Sequence, residues 1–243
     1  MMCKTSIPTK DLDIVYFVKA FPTRDLLYSI RSAAQNLEYR KLWIIGGKLQ
    51  GLEPDGYIPR LTQSGNTKWN KVRTMYRDVC ISHEISDDFI LFHDDFFVMQ
   101  PTTCLEYAYR GSLEAHYRAI ERAYGPLPNE YSKILRKAHN ALLLLGKTTL
   151  SYEIHTPFVF NKHKLLEIMG IFPNMNCVRS LYANYWELGG AKTKDVKIYS
   201  DRANFDWQRS AFLSTDDGVS KEGNECWRYI TSQFNTKCKY ERG

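Results

Sequence analysis

No Cys-x-x-Cys pair occurs in the chain, although it carries six cysteines, Cys3, Cys80, Cys104, Cys177, Cys226 and Cys238. That disfavours a zinc ribbon and leaves reduced thiols in a cytoplasmic protein as the simplest account. No G-x-G-x-x-G fingerprint or P-loop is present, so dinucleotide oxidoreductase and ATPase readings lack support. No G-x-S-x-G elbow is present either, which disfavours an α/β-hydrolase. No run is apolar enough to span a bilayer, and the opening MMCKTSIPTKDLD lacks the apolar core of a signal peptide. Internal repeats, low-complexity tracts and flexible linkers are missing as well. A net charge of +6 permits an anionic partner without requiring one, because dedicated nucleic-acid binders often show a stronger bias.

What is present is enough apolar material, 44% over 243 residues, for one sizeable α/β domain, or one domain with a large insertion. Ile14 to Val18 and Leu42 to Ile45 read as buried strands, the second ended sharply by Gly46-Gly47. Between them Leu26, Leu27, Ile30, Ala33, Ala34 and Leu37 recur at helical spacing, with Thr23 as the expected N-cap. Residues 48 to 65 read as a loop, and Trp69, Val72, Met75 and Val79 mark a second amphipathic helix. Phe89 to Phe92 is a third strand. The alternation of strand and helix predicts a largely parallel sheet covered by helices.

The third strand ends in FHDDFFVMQP, where Asp94 and Asp95 stand between apolar runs. Unpartnered buried carboxylates are costly, so an acidic pair at such a place is expected to face a cleft, a metal or a polar ligand. Carboxylates suit hard divalent cations, which commonly bridge to phosphate oxygens. Ligands of open parallel sheets sit beyond the carboxyl ends of the strands, where Gly46-Gly47 and Asp94-Asp95 both fall.

Further along, Arg110 to Lys147 reads as two helices interrupted by GPLPN, with seven Lys or Arg against three Glu, either a solvated helical pair or a basic acceptor-recognition surface. Tyr152 to Phe160 reads as a strand, which places Glu153 and His155 on one face as a metal-completing or acid/base pair, or leaves His155 as a structural residue. Asn70 and Lys71 lie in a segment that opens the helix before the acidic strand, where such groups contact phosphates or are simply solvated. Arg24 and Asp25, after the first strand, either face the same cleft or serve in capping. Lys164 to Phe172 reads as a short helix and Val196 to Tyr199 as a last strand. The polar stretch from Asn204 onward is expected to wrap the active edge or to order with ligand.

The order DIVYFVKAF, LLYSIRSAAQNLEYRKLWIIGG, NTKWNKVRTMYRDVCISHEISDDFILFHDDFFVMQP resembles the nucleotide-sugar domain of GT-A glycosyltransferases. It is most similar to the Stealth group of capsular sugar-phosphate transferases and related phage and bacterial glycosyltransferases. Leu27 to Ser32, Phe89 to Phe97 and His155 to Pro157 carry the likeness, which covers about residues 13 to 101 and 152 to 160. The acidic pair departs from a strict D-x-D motif, since the two Asp are adjacent and follow His93.

The resemblance implies a single GT-A-like domain with its nucleotide-sugar part over about residues 11–101, a helical insert over about 105–147 and an acceptor part over about 150–243. It also implies a UDP-sugar or similar donor contacted by Lys19, Arg24, Asn70, Lys71 and Asp94. Mn²⁺ or Mg²⁺ would bind at Asp95 and His155, and catalysis would fall to Asp94, Glu153 and His155. The expected reaction is sugar transfer to an acceptor hydroxyl, on hydroxymethylated DNA bases or on a glycan. Sugar-phosphate transfer, or a non-catalytic carbohydrate- or nucleic-acid-binding module, are the alternatives.

Overall fold

The computed structural model describes residues 6–60, 68–124, 129–199, 206–220 and 224–242. In chain order the elements begin with β1 (Ile7–Pro8), β2 (Asp13–Val18), α1 (Asp25–Asn36), β3 (Leu42–Gly46), β4 (Gly56–Pro59), α2 (Lys68–Ile81), β5 (Asp88–His93), β6 (Phe96–Val98), β7 (Cys104–Leu105) and β8 (Ala108–Tyr109). There follow α3 (Leu113–Tyr124), α4 (Glu130–Leu144), β9 (Phe158–Asn161), α5 (Lys162–Ile171), α6 (Val178–Tyr185), β10 (Ala191–Lys192), β11 (Lys197–Ile198), β12 (Phe212–Thr215) and α7 (Glu225–Gln233). They fall into two compact units. Among the described residues no helix is long and apolar enough to cross a membrane, and none of the five cysteines there forms a disulfide.

The larger unit holds Ile7–Leu105, His155–Phe160 and the described part of the chain from Val196 onward. Its centre is a five-stranded sheet in the order β4-β3-β2-β5-β9. β2 pairs in parallel with β3 on one side (Ile14↔Leu42 to Val18↔Gly46) and with β5 on the other (Asp13↔Phe89 to Phe17↔His93). Every residue of β2 and β3 is buried, which is why these strands read as continuous apolar runs rather than as alternating ones. Gly46 is required where it stands. Its φ is +124°, and a Cβ there would lie 1.9 Å from the Val18 carbonyl oxygen. The glycine thus lets the ends of β2 and β3 approach closely.

The chain leaves this sheet after β5. β6 joins a three-stranded sheet in the order β11-β12-β6 instead, antiparallel to β12. The other edge of β6 is closed by a helix. Ser29 Oγ of α1 donates to the Phe96 carbonyl, Ser32 Oγ accepts from Val98 N (3.0 Å), and Asn36 Nδ2 donates to the Val98 carbonyl (2.7 Å). These groups take the place of a neighbouring strand, so the buried backbone of β6 keeps its partners. Thr23 does not cap α1 with its side chain. Its Oγ1 donates to Asp25 Oδ2 at 3.1 Å, and Arg24 is the N-cap residue.

The smaller unit holds Glu106–Ile154 and Asn161–Asp195. Asn129 caps α4 and Asn161 caps α5, each through its side-chain oxygen. The expected basic helical pair is present as α3 and α4, but several of its cations are paired. Arg118 meets Glu114 at 2.6 Å, Arg136 meets Glu121 at 2.5 Å, and Lys133 lies 3.9 Å from Glu130. Residues 125–128 of the GPLPN interruption lie outside the described residues.

Three sequence expectations change. The stretch 48–65 contains β4, a strand with only half of its residues partly buried and a Pro at its end. Residues 151–157 are irregular, and only Phe158–Asn161 forms a strand. The polar tail carries β12 and α7, which bury Leu213, Val219, Cys226, Ile230 and Phe234 against Tyr28, Phe97 and Ile198.

Candidate functional site

Asp94 and Asp95 form the turn between β5 and β6, at the carboxyl end of a parallel strand. Two adjacent residues in a tight turn point their side chains differently, and the two carboxylates have different surroundings. Asp95 is held by the second sheet. Lys197 and Ser214 are ladder partners on β11 and β12, and both reach Asp95 Oδ2, the Lys197 ammonium as an ion pair and Ser214 Oγ at 3.0 Å. Lys197 Nζ also donates to the Thr215 carbonyl (2.6 Å), and Thr215 N donates to the Asp95 carbonyl (3.2 Å). Burial opposes the charge on Asp95, but Lys197, His93 and His155 outweigh it, and its carboxyl is held below the usual range.

Asp94 has no such support. Its Oδ2 is buried without a hydrogen-bond partner. Burial first, and the neighbouring Asp95 charge second, push its carboxyl up to about 6, against the opposing pull of Lys19. Asp25 at the start of α1 is in a similar state. It is 3% exposed, its Oδ1 has no partner, and burial raises its carboxyl although Thr23 donates to its other oxygen. Lys19, at the end of β2, donates to Asp217 at 3.2 Å in an exposed pair. Burial works against the Lys19 ammonium, but Asp217, Asp94 and Asp25 together raise its pKa. His93 and His155 flank the Phe96 ring, edge-on at 5.1 and 6.3 Å between centroids.

Of the residues singled out in the sequence, Lys19, Asp94, Asp95 and His155 therefore lie in one electrostatic neighbourhood. Arg24 is exposed at the head of α1, while on α2 Asn70 is exposed and Lys71 half-buried. Glu153 belongs to the other unit. It accepts from Cys177 Sγ (3.2 Å), Ser180 Oγ (3.0 Å) and Ser180 N (3.1 Å) at the amino end of α6. A carboxylate suits that helix end, where backbone N–H groups and the dipole favour negative charge. The expected strand pairing of Glu153 with His155 does not form, because the backbone between them is irregular.

The residues do not fit a divalent ion at Asp95 in this arrangement. Its Oδ2 is already committed to Lys197 and Ser214. Among the described residues, no three His, Cys, Asp or Glu side chains gather closely enough to hold a metal. Sequence reasoning did not find Lys197, Ser214 or Thr215. Alternation in VKIY places Lys197 opposite the inward-facing Ile198, but nothing in the chain tells that its partner lies 102 residues away.

No protein-family model and no curated protein matches this chain. Among solved structures it is similar to the glycosyltransferase GlyE of Streptococcus pneumoniae TIGR4, with a TM-score of 0.37 and 9% identity over 93% of this chain and 50% of that one. The chain spans about half the length of that protein.

Proposed function

We propose that this chain is a glycosyltransferase that moves a sugar from a nucleotide diphosphate sugar to an acceptor hydroxyl at Asp94. The observation that carries the reading is the buried, unpartnered Oδ2 of Asp94 at the carboxyl end of β5, on a carboxyl pushed up to about 6. A group in that state is suited to exchange a proton near neutrality, and perturbed carboxyls in such places mark functional sites. The likeness of residues 13–101 to nucleotide-sugar domains supports the donor class.

In this reading Asp94 Oδ2 takes the proton of the acceptor hydroxyl. The acceptor oxygen bonds to the anomeric carbon while the bond from that carbon to the diphosphate oxygen breaks, and the electron pair leaves with the diphosphate. Lys197, paired with Asp95, and Lys19, whose charge acts on Asp94, would stabilise the departing charge.

A screen of nucleotide sugars by thermal shift and donor hydrolysis tests the reading, since a ligand that binds only the folded state raises apparent stability. The expected result is a shift with one donor class, release of nucleoside diphosphate, and a loss of turnover of about a hundredfold or more in a folded Asp94→Asn variant. Release of nucleoside monophosphate would instead assign sugar-phosphate transfer. No shift and no turnover with any donor would overturn the proposal.

A further inference from the structure

Divalent cations commonly bridge carboxylates to the phosphates of a nucleotide, yet here the carboxylate best placed for one is already neutralised from within the chain. We infer that Lys197 stands at Asp95 in the place of a divalent cation, so that a nucleoside diphosphate binds this site through an ammonium group and without a metal. The inference rests on the sugar-nucleotide reading above and deepens it.

The first support is how the pair is built. Lys197 and Ser214 are register partners on adjacent strands, and both converge on one oxygen of Asp95. The ammonium is also tied to the Thr215 carbonyl at 2.6 Å. The side chains of Lys197 and Asp95 are only 13% and 20% exposed. A metal entering at Asp95 would have to expel Lys197 from a place where little water is available to receive it. Leaving one partner of a buried pair uncompensated is strongly unfavourable.

The second support is valence. An ammonium has three N–H donors, and among the described residues two of them have acceptors, Asp95 Oδ2 and the Thr215 carbonyl. The third is left for an anionic oxygen. Lys197 thus bridges a carboxylate to a ligand oxygen, as a coordinated cation would. Lys19 differs: it sits in an exposed pair with Asp217, whose side chain is 88% exposed. Such pairs are weak and readily exchanged, so Lys19 can turn to a ligand, whereas Lys197 is fixed.

The test is calorimetric titration of UDP, GDP, ADP, CDP and dTDP into the full chain, in EDTA and again with Mn²⁺. Expected are binding of one nucleoside diphosphate in EDTA, a change on adding Mn²⁺ well short of tenfold, and a weakening of at least about tenfold in Lys197→Met. The corresponding nucleoside monophosphate should lose less. Because Lys197→Met leaves Asp95 unpaired and can fail to fold, the Asp95→Asn/Lys197→Met double variant, which removes both charges, should show the same loss. Binding that requires Mn²⁺ and is indifferent to both variants overturns the inference while leaving sugar transfer intact. Absence of binding by every nucleotide under both conditions overturns the inference and the sugar-nucleotide reading together.

Discussion

Asp94 holds its charge at a cost, because burial and the adjacent Asp95 both favour the protonated form. Its carboxyl is pushed up to about 6 in the folded protein against 3.8 for a free side chain, so the folded state binds this proton more tightly than the unfolded one. The contribution of Asp94 to stability is therefore greatest at low pH and is lost as pH rises from 3.8 to about 6. Asp94→Asn removes that titration. Relative to the parent protein, the variant is expected to gain stability across this window and to keep a constant advantage above it. Urea unfolding at a series of pH values measures the difference, and a flat difference would show that Asp94 is not destabilised by its surroundings. The acidic pair itself was legible, because two carboxylates between FILFH and FFVMQ have few purely structural explanations. The division of work between the two was not. Asp94 and Asp95 have the same side chain and almost the same local sequence, and only Lys197 and Ser214, brought in by strand pairing, separate them.

The helix α1 shows what periodicity reveals and what it hides. Leu26, Ile30 and Ala33 are fully buried as their spacing implies. Ser29 and Ser32 are also fully buried, although a pattern reading assigns serines to the solvent face. They face β6, whose backbone they complete. Ser32→Ala leaves the buried Val98 N–H without its acceptor, and an orphaned buried donor costs about 1–3 kcal/mol. Chemical denaturation is expected to show a loss of that size, whereas a change near zero would mean that the edge of β6 finds another partner. The same blind spot accounts for α7. Its buried residues Cys226 and Ile230, with Phe234 just beyond, recur every fourth position, but the polar residues around them masked the row. Strand β4 gave even less signal, because none of its residues is fully buried and its pattern alternates only between half-buried and exposed.

On the scale of the whole molecule, the larger unit is assembled from segments far apart in the chain. Arg31 on α1 makes a two-point ion pair with Glu241 (2.8 and 2.7 Å) and donates to the Phe234 carbonyl at 3.0 Å. Both charged side chains are largely buried, at 11% and 9% exposure. Glu53 N bonds the Tyr240 carbonyl, Arg242 N bonds the Gly51 carbonyl, and the Tyr240 hydroxyl donates to Asp55. The tail from Asn204 was expected to wrap the active edge or to order with ligand; Ser214 and Thr215 do meet Asp95, and Asp217 meets Lys19, while residues 234–242 are fastened to α1 and to the turn before β4. Glu241→Ala is expected to cost about 3 kcal/mol, as removal of one partner of a buried pair does. It should also speed proteolytic cleavage near residues 235–240. Unchanged stability would place the anchor elsewhere. This closure bears on how the polypeptide matures. A ribosome releases the strands of the central sheet early, but the latch that secures them is made only when residues 240–242 emerge. The helical unit is complete once Asp195 is made and has no such wait. Its folding can run ahead during translation, while the sheet that carries the acidic turn stays open to chaperones until residues 240–242 are delivered.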